Sequence, residues 1–149
     1  MNYIINEQTQ AIATVRLGDN RTKIYEMNNV MFSKTNPLTI LKNSCEKFGY
    51  SLLSWRELIE KQLQRSSKLP IPISPSKGIF FVPTTSDRNE QCVWVSYYHV
   101  NSYFEENKQL NIVLQDGQSI LSDISLNQFK LQLKRTCIII AYFYRLFNI

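Results

Sequence analysis

Segments with strand character and segments with helix character follow one another in this chain as strands, helix, strands, helix, and the strand-to-strand links are short. A parallel β–α–β crossover needs a dozen or more residues between its strands. Here Gly18-Asp19-Asn20 separates the β-branched and aromatic stretches 11–16 and 22–27, and Asp116-Gly117 separates 109–115 from 118–124. Both read as hairpin turns, and links of that length confine the fold to antiparallel pairing. The expectation is an α+β domain, an antiparallel β-sheet or partly open barrel with two to three helices packed on it. At 149 residues and 17.5 kDa the chain is sized for one domain spanning 1–149, and no repeat, low-complexity tract or linker divides it.

The firmest helix lies at 36–49. Asn36 is a good N-cap, Pro37 sits at the first helical position, and Gly49 stands where a helix stops. Leu38, Leu41, Cys45 and Phe48 recur on one face between them. Ser54-Trp55-Arg56-Glu57 has the form of a capping box, with Leu58, Ile59 and Leu63 following on a short helix. A short strand is expected at 3–5. Pro70-Ile71-Pro72-Ile73 is extended, Pro75-Ser76-Lys77-Gly78 reads as a type I turn, and a strand at 79–82 stops at Pro83. A polar loop follows, then a half-buried strand at 92–98. Ser125-Leu126-Asn127-Gln128 is a second capping box, opening a helix through Phe129, Leu133 and Cys137.

The 17 Lys and Arg outnumber the 12 Asp and Glu, for a net charge of +5. The excess is unevenly placed. Residues 42–88 carry eight bases and four acids, and residues 124–149 carry four bases and no acid, each a net +4. Between them, Lys108 faces Glu90, Glu105, Glu106, Asp116 and Asp123, a net of −4. A basic middle and a basic end that meet in space would form one face for an anionic partner. The 23 Asn and Gln, beside 16 Ile, read as the codon signature of an AT-rich genome, not as a set of base readers.

Several classes are excluded. There is one histidine, His99, so no centre needing two imidazoles fits in one chain. Cys45, Cys92 and Cys137 are odd in number and far apart, which suits reduced, inert thiols. A Cys3His zinc site with His99 lacks the short ligand spacing, so no metal or cofactor is expected. No apolar run of about 18 residues exists, so neither a transmembrane helix nor a membrane partner is expected. The first residues lack the cationic start and apolar stretch of a secretory signal, and the unpaired cysteines suit a cytosol, so a cytoplasmic protein is expected. Ser96 and His99, three apart on a strand, should point to opposite faces, which argues against a Ser–His pair. Glu105 and Glu106 are adjacent, not convergent, and four glycines are too few for a phosphate-cradling loop. The chain is therefore not expected to be an enzyme.

One set of segments stands out when read in order: Pro37-Leu38 with Asn43-Ser44-Cys45 and Phe48-Gly49, Lys68-Leu69-Pro70-Ile71, and Pro75-Ser76 leading to Ile79-Phe80-Phe81-Val82-Pro83-Thr84. Ser86-Asp87-Arg88, Cys92-Val93-Trp94-Val95-Ser96, His99-Val100, Ile124 to Phe129 and Arg135-Thr136 complete it. In order and spacing the set resembles the ComK family of competence transcription factors of low-GC Gram-positive bacteria. The resemblance implies a cytoplasmic activator of DNA-uptake genes that binds AT-rich paired promoter boxes on double-stranded DNA, mainly from the minor groove, as an oligomer. That groove offers little beyond A·T-versus-G·C discrimination and width. The chain departs from the family around 55–64, at Lys68 to Pro72, and at its end. Family members usually continue well past Arg135, whereas this chain stops at Ile149 after an apolar run from Cys137 to Phe147. That run reads as an oligomer interface carried by Ile139, Phe143 and Phe147, as core, or as the end of a truncated paralogue. The alternative function is a truncated relative without DNA binding of its own, acting as an interaction module with a full-length relative.

The candidate DNA contacts follow from charge and position. Arg88 sits in the polar loop between two strands, with hydroxyls such as that of Thr84 beside it, suited to a phosphate or to a narrow groove. Arg56, Arg65, Lys68 and Lys77 lie around the turn-rich middle and could share its face. Lys130, Lys134 and Arg135 lie on the last helix, and Lys130 and Lys134 share a side there. Trp55 and Trp94 read as core, not as stacking platforms.

Overall fold

The computed structural model describes residues 2–147, with Phe147 through its backbone alone. Nine strands run in order as β1 (Thr9–Leu17), β2 (Asn20–Glu26), β3 (Asn29–Ser33), β4 (Ile71–Ser74), β5 (Ile79–Pro83), β6 (Val93–Ser96), β7 (Val100–Glu106), β8 (Gln109–Leu114) and β9 (Ser119–Ser122). Helices α1 (Pro37–Lys47) and α2 (Leu52–Leu63) separate β3 from β4, and α3 (Leu126–Phe147) closes the chain. Every strand pair is antiparallel. The α+β expectation holds, with the strands sorted into two open sheets and no closed barrel: β3-β2-β1-β6-β5-β4 and β7-β8-β9.

The middle of the six-stranded sheet is buried on both faces, and the side-chain alternation of its strands shows how. In β1 and β6, Ile12 lies opposite Trp94 and both enter a core shared with α1, α2 and the second half of α3. Their neighbours Ala11, Val93 and Val95 turn the other way, into a second core with Leu110, Ile112, Leu114, Ile120 and Phe129. The layers are therefore helices, six-stranded sheet, three-stranded sheet. This corrects the half-buried reading of 92–98: all four residues of β6 are buried, and the segment then leaves the sheet as a 3₁₀ turn at Tyr97–His99.

Local chemistry explains the element ends. Asn36 Oδ1 accepts from Thr39 N at 2.9 Å, with Pro37 in the first turn of α1. The cap of α2 is Ser51, whose Oγ accepts from Ser54 N at 3.1 Å, and the helix starts three residues before the Ser54 box. Ser125 Oγ caps α3 by accepting from Gln128 N at 3.1 Å, as its capping box predicts. The expected strand at 3–5 is not one, although Ile5 is buried and its N donates to Ser44 Oγ.

The run from Cys137 to Phe147 is helical, and its apolar residues divide between two sides. Ile139 and Phe143 are 0% and 1% exposed, inside the helix-side core, where the Phe143 ring meets Trp55 edge-on at 5.3 Å. This corrects the interface role given to these two: burial in their own monomer leaves no surface to offer. Ile138, Tyr144 and Leu146 are the exposed members. The Phe147 side chain lies outside the described residues.

Candidate nucleic-acid interface

The loop 84–92 between β5 and β6 is the centre of the basic face. It is pinned at its ends, where Thr84 N donates to Val93 O at 3.0 Å and Thr84 Oγ1 accepts from Val93 N at 2.9 Å. Thr84 is thus 2% exposed with its hydroxyl engaged, and it drops out as a DNA contact. Further along, Arg88 is exposed, and among the described residues no carboxylate pairs with its guanidinium. Asp87 binds Arg56 of α2, not its neighbour Arg88.

Two clefts meet at Arg88. One, of about 270 Å³, is lined by Arg56, Lys68, Arg88, Ser66 and Ser67, with Trp94 at its wall. The other, of about 460 Å³, is lined by Arg16, Arg21, Arg88, Asn36 and Asn89. Arg65 and Arg135 flank the first: Arg65 Nε donates to the carbonyl of Ser67 at 2.8 Å, and Arg135 is bonded to Gln132, the side chain that holds Lys68. Burial, and then the charge of Arg65, lower the Arg135 pKa. Two cations push on each other in this way only when they are close, and a phosphate would relieve the repulsion. Arg135 Nη1 donates to Gln132 Oε1 at 2.6 Å, and Gln132 Nε2 donates to the carbonyls of Lys68 at 2.9 Å and Pro83 at 2.8 Å. Gln132 thereby ties α3 to the floor of the cleft.

Of the sequence candidates, Arg56, Arg65, Lys68, Arg88 and Arg135 gather here. Lys77 does not. It lies over the Phe48 ring at the C-terminal end of α1 and 3.9 Å from Glu7. Pro37 and Leu38, which border the Arg21 cleft, are at the other end of that helix, about 16 Å away along its 11 residues. Lys130 and Lys134 are each two positions from Gln132, about 200° round the helix, and so face away. Arg16, Arg21 and Asn36 were missed. Arg16 and Arg21 had a signal, two cations bracketing the Gly18 turn, but nothing in the sequence brings that turn to residue 88.

The remaining chemistry is structural. Ser96 and His99 are hydrogen-bonded after all, Oγ to Nδ1 at 2.9 Å, because the 3₁₀ turn brings position 99 back over position 96. Ser96 is buried, and burial lowers the His99 pKa. Cys45 and Cys92 are buried thiols with raised pKa values, Cys45 pushed up to about 12 by burial and then by Glu46. Cys137 differs from the other two: it is exposed and hydrogen-bonded to Tyr97 Oη at 2.8 Å. Among the described residues no cluster of His, Cys, Asp or Glu could hold a metal ion. No helix there is long and apolar enough to cross a membrane.

Fold and site together define an α+β domain with a cluster of cations, mostly arginines, gathered around two clefts. The chain belongs to the ComK protein family, whose model matches residues 1–145. It is similar to a competence transcription factor of Bacillus subtilis (strain 168), 31% identical over 137 residues that cover 91% of this chain and 71% of that protein. No solved structure matches it significantly.

Proposed function

We propose that this protein is a transcription factor of competence that binds double-stranded DNA through the face centred on Arg88. The observation that carries the reading is the convergence of Arg88, Lys68, Arg21, Arg65 and Arg135 around two joined clefts, none of them ion-paired among the described residues. A cation without a protein partner is free to replace counterions on DNA phosphates, which is the dominant, salt-dependent part of such binding. Membership of the ComK family supports the same reading and a cytoplasmic site of action.

In this reading the protein activates DNA-uptake genes from AT-rich paired boxes. Arg88, on a loop tip, enters or borders the narrow minor groove, where A-tract potential is most negative. Two boxes call for at least two copies. Strand β3 supplies a surface for self-association: it is an edge strand without a charged residue, and Val30, Met31 and Phe32 are 40%, 37% and 41% exposed. Natural edges are usually blunted by charge, proline or a bulge, and this one is not.

The test is an electrophoretic shift at low salt with a duplex carrying paired A-tract and T-tract boxes, against a GC-rich duplex of equal length. Preferential, salt-sensitive retention supports the reading. No retention of either duplex overturns it. Co-purification with a longer family member without DNA retention would instead favour an interaction module.

A further inference from the structure

The loop 84–92 holds two acids, and each is engaged by an arginine from a different element. Asp87 accepts from Arg56 Nη2 of α2, and Glu90 accepts from Arg16 Nη2 of β1 at 2.6 Å. Arg88 stands between them in sequence and lines both clefts. The loop also braces itself, with Asn89 N donating to Ser86 O and Cys92 N donating to Asn89 O, each at 3.0 Å.

For a surface that binds a polyanion these carboxylates are misplaced. They neutralise two of the four guanidiniums that line the clefts, those of Arg56 and Arg16, and repel phosphate. Their geometry offers something else. An arginine on a free loop must lose backbone and rotamer entropy when it binds, and a loop fixed beforehand loses less. The two ion pairs anchor the loop on opposite flanks, to a helix on one side and a strand on the other.

We infer that Asp87 and Glu90 are positioning residues, which hold the loop through Arg56 and Arg16 and so set the pose in which Arg88 meets DNA. The inference rests on the reading of Arg88 as a DNA contact. It opposes a simpler one, in which the carboxylates compete with DNA for Arg56 and Arg16 and weaken binding. The two differ in sign.

The experiment measures affinity of the whole chain for a labelled duplex with paired A-tract and T-tract boxes, by fluorescence anisotropy at one salt concentration. Asp87→Asn and Glu90→Gln are made with Arg88 present and again with Arg88→Ala. With Arg88 present, Asp87→Asn weakens binding about tenfold, within the range of coupling between groups in contact. Glu90→Gln does so less, because its pair is open to water, with side chains 69% and 67% exposed. Asp87→Glu, which can rebuild the pair, binds as the parent does. With Arg88→Ala in place both amide substitutions strengthen binding, since only the loss of a negative charge remains. Tighter binding by Asp87→Asn with Arg88 present overturns the inference in favour of competition. An equal loss in both backgrounds also overturns it, as that is the mark of a merely structural role. If Arg88→Ala leaves affinity unchanged, the reading beneath the inference fails first, and the double variants are not needed to see it.

Discussion

Gln132, two turns into α3, donates from its buried side-chain amide to the backbone carbonyl of Pro83 at 2.8 Å, where β5 ends and the Arg88 loop begins. The same nitrogen donates to Lys68 O, and the amide oxygen receives Arg135. One neutral side chain therefore fixes three parts of the basic face. Lys68 is held in the left-handed region at φ 57°, a conformation that a lysine adopts rarely and at some cost.

Gln132→Leu should leave both carbonyls without a partner. The expected cost is about 1–3 kcal/mol of stability, read from urea unfolding. DNA affinity should fall beyond what stability explains, because Lys68 and Arg135 are released together.

Arg88→Ala should fold as the parent does, since its side chain is exposed. DNA binding should weaken, and the slope of log affinity against log salt should drop by about one. Arg21→Ala should weaken binding in the same direction, being the far wall of the second cleft. Lys130→Ala with Lys134→Ala should change affinity far less than Arg88→Ala. Filter binding over a salt series separates the three.

Phe143→Ala should cost about 3–5 kcal/mol, as for a large core aromatic. Ile139→Glu and Phe143→Glu should unfold the chain, not yield a soluble monomer. Circular dichroism melts decide this, and a folded monomer would return these residues to an interface.

Asp116 joins the two sheets. Its Oδ2 accepts from Asn28 N at 2.7 Å, across from the turn between β2 and β3, and Gln118 bonds both this carboxylate and Glu26 O. Burial pushes its pKa up, but hydrogen bonds from Gln10, Gln118 and the Asn28 amide outweigh it and hold the carboxyl below its usual range. A lowered folded pKa means that the joint is fully present above the unfolded value, about 4, and is lost as pH falls through the folded one. Asp116→Asn should flatten this acid dependence in denaturation midpoints taken from neutral pH downward. At neutral pH it should cost about 1 kcal/mol, the carboxylate being partly open to water.

Much of the architecture was legible because the signals are local. Asn36 and Pro37 start α1 by their own chemistry, Ser125 caps α3, and Asp116-Gly117 turns β8 into β9. Strands β3 and β7 were missed because the turns that form them carry no glycine. Asn28 has φ 58°, and Asn107 and Lys108 have φ 53° and 62°, so ordinary residues occupy the left-handed region that Gly usually marks. The single sheet became two because alternation along a strand shows which residues share a face but not that both faces are covered.

The sequence by itself determined the antiparallel α+β class, the starts of α1 and α3, the family, and the presence of a cation at position 88. Each depends on residues near one another in the chain, or on their order along it. Only the tertiary structure decided which cations share a face. That choice rests on contacts between distant segments: Arg56 with Asp87, Arg16 with Glu90, and Gln132 with Pro83. It brought Arg21 to Arg88, turned Lys134 away, and buried Phe143, because a side chain's direction on a helix has meaning only once its neighbour is in place.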